Sequence, residues 1–141
     1  MSTDYLCQSE IKIWTHLCPP MLISMSDKIS LGKQGEKIAL SYLKSKRFKI
    51  IEKNLRNRFG ELDIIAQDKK TLVFIEVKTR TSEAFGNPIQ GIDKRKQYRL
   101  RMLAQKYIAE KGLLEQEVRF DVLGILQTGK QTKIEHIPNA F

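Results

Sequence analysis

The chain reads as an α/β domain built on a mixed β-sheet with helices packed against it. Strand-length apolar runs are interspersed with two longer segments whose apolar residues recur at helical spacing. The order is helix, three strands, helix, two strands, which defines a mixed sheet rather than a helical bundle or an all-β sandwich. Two central runs, Ile64-Ile65 and Leu72 to Ile75, are continuously apolar, as expected of strands covered on both faces.

Residues 1–24 differ from the rest of the chain. They mix Trp14, Cys7, Cys18 and the Pro19-Pro20 pair without a sustained period. Met25-Ser26-Asp27-Lys28 looks like a natural start, so residues 1–24 are expected to be a poorly ordered extension and 25–141 the domain. Ile38, Ala39, Tyr42 and Leu43 predict a helix from Leu31 to Lys46. Lys49 to Arg56 reads as a first strand. Glu61 to Gln67 and Leu72 to Thr81 come next as the central strands, with Gln67 to Thr71 as a polar hairpin loop. Ser82 to Gly91, containing Gly86, Pro88 and Gly91, is a loop by composition. The second helix is expected over Ile92 to Lys111, with Leu100, Leu103, Ala104, Tyr107 and Ile108 as its apolar stripe and Gly112 as its stop. Val118 to Leu126 is a strand, Thr128-Gly129-Lys130 a turn, and Thr132 to Ile137 a short edge strand.

At 141 residues the chain is long enough for one hydrophobic core without disulfide support. A formal charge of +9 implies attraction to a polyanion, of which nucleic acid is the commonest. The two cysteines lack the partner spacing of a zinc site. No apolar run reaches membrane-spanning length, and the N-terminus lacks a basic leader followed by an apolar segment. A cytoplasmic protein with no membrane partner is therefore expected. The second helix carries Lys94, Arg95, Lys96, Arg99, Arg101 and Lys106 against Asp93 and Glu110, a lopsided balance that suits phosphate contacts. With no aromatic stacking motif and no base-reading helix evident, structure-selective binding is expected over sequence-selective binding.

The charged residues inside the central strands carry the chemistry. Side chains alternate along a strand, so Glu61 and Asp63 share one face, and Glu76 and Lys78 share one face. The hairpin brings Asp63 beside Glu76, with Lys78 one pleat further on. Buried carboxylates are costly unless a cation and hydrogen bonds compensate them. Mg²⁺, or Mn²⁺, held by Asp63, Glu76 and the Val77 carbonyl would suit phosphodiester hydrolysis. Lys78 would contact the scissile phosphate or orient the attacking water, and Arg80, of the same parity, would reach the same phosphate. Each residue also has a plainer reading. Asp63 and Lys78 would form a structural ion pair, Glu61 would be an exposed strand residue, and Arg80 a solvated charge at a strand end. Asp121 would belong to a second carboxylate cluster, or, on the plainer and favoured readings, pair with Arg119 or serve a sheet edge. His16 and His136 have no partner in sequence and are assigned no role.

The ordered set G-E-L-D (Gly60 to Asp63) and F-I-E-V-K-T-R (Phe74 to Arg80) resembles the core of PD-(D/E)XK nucleases. More narrowly, the chain resembles the YraN family, bacterial proteins akin to archaeal Holliday junction resolvases. The likeness extends from Leu31 to Phe141 and takes in Gly32, Gly35 and Glu36, Asn54, Phe85-Gly86 and Pro88, Lys94, Arg119 to Asp121, and the closing N-A-F. It implies a restriction-endonuclease-like fold, with Asp63 and Glu76 as metal ligands and Lys78 as the catalytic lysine. Glu36 matches a resolvase glutamate on the first helix, and its plainer reading is a surface charge paired with Lys33 or Lys37. Leu62 stands where the motif name has proline.

Three functions are expected on these grounds. The first is a Mg²⁺-dependent endonuclease acting on DNA, including branched or junction DNA, in which Arg80, Lys94, Arg95, Arg99 and Arg101 bind the nucleic acid. The second is a non-catalytic nucleic-acid-binding module with a vestigial site. The third is an interaction protein whose basic face meets an acidic partner. Paired incisions would suit a homodimer, for which Ile134, Ile137 and Phe141 are the candidate surface.

Overall fold

A computed structural model describes residues 24–141. The expected N-terminal extension, with Trp14, His16 and both cysteines, lies outside the described residues except for Ser24. The chain divides into two units at Ser30. The described part of the first, residues 24–30, is helical from Met25 and exposed throughout. The second, Leu31–Phe141, holds the sheet and the site.

Helix α1 spans Met25–Ser45 and so begins six residues before the predicted Leu31. Apolar periodicity marks only the part of a helix that packs, and the exposed first turns carry no such mark. Asp27 in the first turn complements the positive end of the helix dipole. At the other end Arg47 takes φ 67°, and the Phe48 N–H reaches back to the Leu43 carbonyl at 3.0 Å. This left-handed exit satisfies a terminal carbonyl and sends Phe48 into the core beside Leu43.

Five strands complete the sheet: β1 Lys49–Asn57, β2 Gly60–Asp68, β3 Thr71–Arg80, β4 Glu117–Thr128 and β5 Gln131–Ile137. They lie in sequence order. All neighbouring pairs are antiparallel except β3 and β4, which run parallel from Thr71↔Glu117 to Arg80↔Leu126. Parallel neighbours need a crossover, and helix α2, Lys94–Lys111, provides it. Asp93 Oδ1 caps α2 by accepting the Lys96 N–H at 2.7 Å, and Gly112 ends it in the left-handed conformation. The loop expected over Ser82 to Gly91 contains two 3₁₀ turns, Glu83–Phe85 and Pro88–Gly91. Pro88 packs onto Gly124 of β4 so closely that a Cβ there would overlap the proline ring.

Each face of the sheet has its own core. Ala39 and Leu43 of α1 cover Ile64, Ala66, Val73, Ile75, Leu123 and Ile125. Leu100, Leu103, Ala104 and Tyr107 of α2 cover Leu62, Ile65, Phe74 and Val122. Burial of each large aliphatic or aromatic side chain contributes about 1.5–3 kcal/mol. The result is an α/β fold, a five-stranded mixed sheet flanked by two helices, consistent with a restriction-endonuclease-like architecture.

Candidate active site

The site lies where β2 and β3 separate. Their ladder runs from Asp68↔Thr71 to Ile64↔Ile75 and then ends, whereas β3 remains paired with β4 as far as Arg80. Asn54 marks the same level on β1. It takes φ 52°, between the pairs Lys53↔Ile64 and Leu55↔Leu62. Across this point β2 turns over, so that Ile64 joins the core under α1 and Leu62 the core under α2. Asp63 sits between them, half-buried at the fork. Its Oδ2 accepts the Val77 N–H at 2.7 Å, so a side chain continues the hydrogen bonding that the backbone has abandoned.

Glu76 is the only buried acid of β3, at 5% exposure. Its Oε1 accepts from Lys96 Nζ of α2 and lies 3.2 Å from Lys78 Nζ. Burial and the nearby Glu76 carboxylate push Asp63 up to about 7, with Glu36 adding to the effect. The Val77 N–H and Lys96 oppose it. Burial and the neighbouring Lys96 push the Lys78 ammonium below its ordinary value, against the pull of Glu76. Burial disfavours the Lys96 ammonium too, but its hydrogen bond and charge pairing with Glu76 hold its pKa above the ordinary value.

Asp63, Glu76 and Lys78 thus converge, with Val77 joining through its N–H. Glu36 is half-buried and its charge is felt at Asp63. Among the described residues it makes no ion pair with Lys33 or Lys37. Lys78 pairs with Glu76, not with Asp63, and Glu61 pairs with Arg56 at 3.0 Å on the surface. The Arg80 guanidinium donates to the Gly86 and Asn87 carbonyls and so fastens the loop after β3. Lys94, Arg95, Arg99 and Arg101 are exposed on α2, the last with its guanidinium 5.8 Å from the centre of the Phe141 ring.

Lys96 is the site residue that sequence reasoning missed, having been counted only as part of a charged face. A signal was present: Lys96, Leu100, Leu103 and Tyr107 follow helical spacing, which puts the lysine on the buried stripe of α2. Each lysine that holds Glu76 also lines a groove. Lys78 contributes with Arg80, Pro88, Gly124 and Lys133 to one of about 350 Å³. Lys96 and Arg99 contribute, with the Phe59 to Glu61 turn, to another of about 330 Å³.

His136, given no role from sequence, also has partners. Asp121, fully buried, accepts from Arg119 Nε at 2.8 Å and from the Asn139 N–H at 3.0 Å, and lies 2.7 Å from His136 Nε2. Burial raises the Asp121 pKa, but these hydrogen bonds outweigh it and hold the carboxylate below its ordinary value. Arg119 also reaches Asp68 at 3.2 Å. The expected pairing with Arg119 holds, within a larger network that anchors the C-terminal residues to β4.

The residues at the fork fit a divalent cation. Among the described residues no trio of His, Cys, Asp and Glu side chains is gathered. Mg²⁺ needs no such cage, because it keeps several waters beside one or two carboxylates. Two carboxylates close enough to raise the pKa of Asp63 are a hard-oxygen pair whose mutual repulsion such an ion would relieve.

Comparisons with known proteins agree on one family. The model of the uncharacterised protein family UPF0102 matches residues 35–125, which hold α1 from Gly35, the fork, α2 and most of β4. A UPF0102 protein of Geobacter metallireducens is 47% identical over 112 residues, covering 79% of this chain and 92% of the relative. One from Thermodesulfovibrio yellowstonii is 50% identical over 116 residues, covering 81% and 97% respectively.

Proposed function

The chain belongs to the UPF0102 family, and for it we propose a Mg²⁺- or Mn²⁺-dependent endonuclease that hydrolyses DNA phosphodiester bonds, branched or junction DNA included. The observation that carries this reading is the convergence of Asp63, Glu76 and Lys78 at the fork between β2 and β3. Asp63 and Glu76 would hold the cation, with the Val77 carbonyl as a further oxygen. A cation bound there supplies positive charge to the scissile phosphate and acidity to a nearby water.

The protein's own groups have separable roles. Lys78, whose ammonium is destabilised by burial and by Lys96, is suited to contact the scissile phosphate or orient the attacking water, and to compensate the charge growing on the phosphate oxygens. Lys96 fixes the Glu76 carboxylate from the opposite element, so that the acid is held from α2 as well as β3. Glu36 adds negative charge beside Asp63 and strengthens the case for a cation. Lys94, Arg95, Arg99 and Arg101 would bind phosphates along the exposed face of α2, and Arg80 through the loop that it fastens.

The test is cleavage of labelled duplex, single-stranded and four-way junction DNA in Mg²⁺ or Mn²⁺. The parent protein should cut at least one of them, and Asp63→Ala, Glu76→Ala and Lys78→Ala should each abolish cutting. Salt-sensitive binding that persists in all three, with no cutting by the parent, would instead identify a binding module with a vestigial site.

A further inference from the structure

Helix α2 carries an aromatic residue that neither core uses. Tyr98 is 64% exposed, whereas Tyr107, on the buried stripe of the same helix, is 4% exposed. At 3.6 residues per turn, the buried stripe Leu100, Leu103, Ala104 and Tyr107 places Tyr98 at the centre of the outward face. Its neighbours three and four positions away are Lys94, Arg95, Arg101 and Met102. Lys94 and Arg101 fall on one side of the ring, Arg95 and Arg99 on the other, and all four are exposed. Between Asp93, which is occupied in capping the helix, and Glu110, α2 has no acidic residue to neutralise this face.

From this arrangement we propose that the outer face of α2 binds unpaired nucleic acid, with a base stacked on Tyr98 and the flanking phosphates held by the two basic rows. The chemistry selects that occupant. A row of cations alone serves any phosphate backbone, duplex or single-stranded. A solvent-exposed ring between two such rows adds a stacking platform, and base stacking on aromatic side chains is a main source of affinity for single strands. A duplex keeps its bases stacked on one another and offers the ring nothing. Charge alone does not separate these occupants, and one tyrosine among basic residues becomes a platform only because the helix turns it outward.

This inference rests on the nucleic-acid reading of the protein and narrows it to substrates with an unpaired stretch, such as a flap, a fork or an opened junction. The same helix turns Lys96 inward to Glu76, so strand binding and the candidate metal site share one rigid element.

The test is fluorescence anisotropy in EDTA with an oligothymidine, a blunt duplex and an oligoglutamate peptide, over a range of salt. Tyr98→Ala should weaken oligothymidine binding about fivefold or more and change duplex binding little. Tyr98→Phe should bind as the parent does, since the ring is retained. The salt dependence for oligothymidine should be the same in all three proteins, because no phosphate contact is removed. Equal loss on duplex and single strand, no loss on either, or Tyr98-dependent binding of the acidic peptide would overturn the proposal. Because no metal is present, the result is independent of whether the protein cleaves DNA.

Discussion

Asp63 Oδ2 accepts the Val77 N–H at 2.7 Å, just beyond Ile64↔Ile75, the last backbone pair of β2 and β3. The strand edge exposed by the fork is thereby capped by the side chain that would also hold a cation. One oxygen of Asp63 is committed to the sheet, and the other would be the one to face a cation. Support for the fold and the candidate active site are the same bond.

Asp63→Asn separates these two roles, since the amide oxygen retains the Val77 hydrogen bond while the charge is lost. In the folded protein the carboxyl is raised from 3.8 to about 7, so it favours the protonated form more than the unfolded chain does. The folded state is therefore penalised increasingly as pH rises through that interval. Without divalent metal, Asp63→Asn should be more stable than the parent at pH 8 by about 2–4 kcal/mol, and nearly equal to it only at about pH 3.5, below the unfolded carboxyl's 3.8. Urea midpoints at the two pH values measure this. Calorimetric titration with Mg²⁺ or Mn²⁺ should show binding to the parent and none to the variant.

Lys96→Met removes one of the two cations that hold Glu76 and leaves a buried carboxylate paired only with Lys78. The expected cost is about 1–3 kcal/mol in urea unfolding. Lys96→Arg should recover part of it. If Lys96 were merely a surface charge, both variants would unfold with the parent.

Asp121→Asn tests the network that anchors the C-terminal residues. The carboxylate is fully buried and bonded to Arg119, His136 and the Asn139 N–H, so removing its charge leaves Arg119 partly unpaired in the interior. A loss of about 3 kcal/mol is expected at pH 7. The folded pKa lies below the ordinary 3.8, so the stabilisation is complete above that value and disappears as pH falls below it. The difference between parent and variant in urea midpoint should accordingly shrink only in that acid range.

Gly35→Ala tests how closely α1 approaches the sheet. A Cβ at Gly35 would overlap Thr79 Oγ1 of β3, one residue along from Lys78. Overpacking of this kind costs about 1–3 kcal/mol, and relief requires Thr79 to turn aside or α1 to shift, the latter carrying the adjacent Glu36 with it. Combining Gly35→Ala with Thr79→Ala should restore most of the loss in thermal unfolding.

Much of this was legible in the chain itself. The succession of elements along the chain, both helices and the hairpin between Asp63 and Glu76 follow from apolar periods and turn residues, because backbone geometry translates spacing into faces. The same parity put Glu76 and Lys78 on one face of β3. Where α1 begins was not legible, since Met25 and Ile29 in its exposed first turns make too short an apolar pattern to mark a helix start.

Amino-acid order alone determined that Asp63, Glu76 and Lys78 would meet, since all three belong to one hairpin and local geometry brings them together. Tertiary packing alone decided that Lys96 joins them from α2 and that Arg119 of β4 reaches Asp68 of β2. Those partners come from segments distant along the chain, and their side-chain directions are set only once α2 and β4 dock beside the hairpin. Spacing within an element is a property of the backbone, whereas contact between elements depends on how both cores fill.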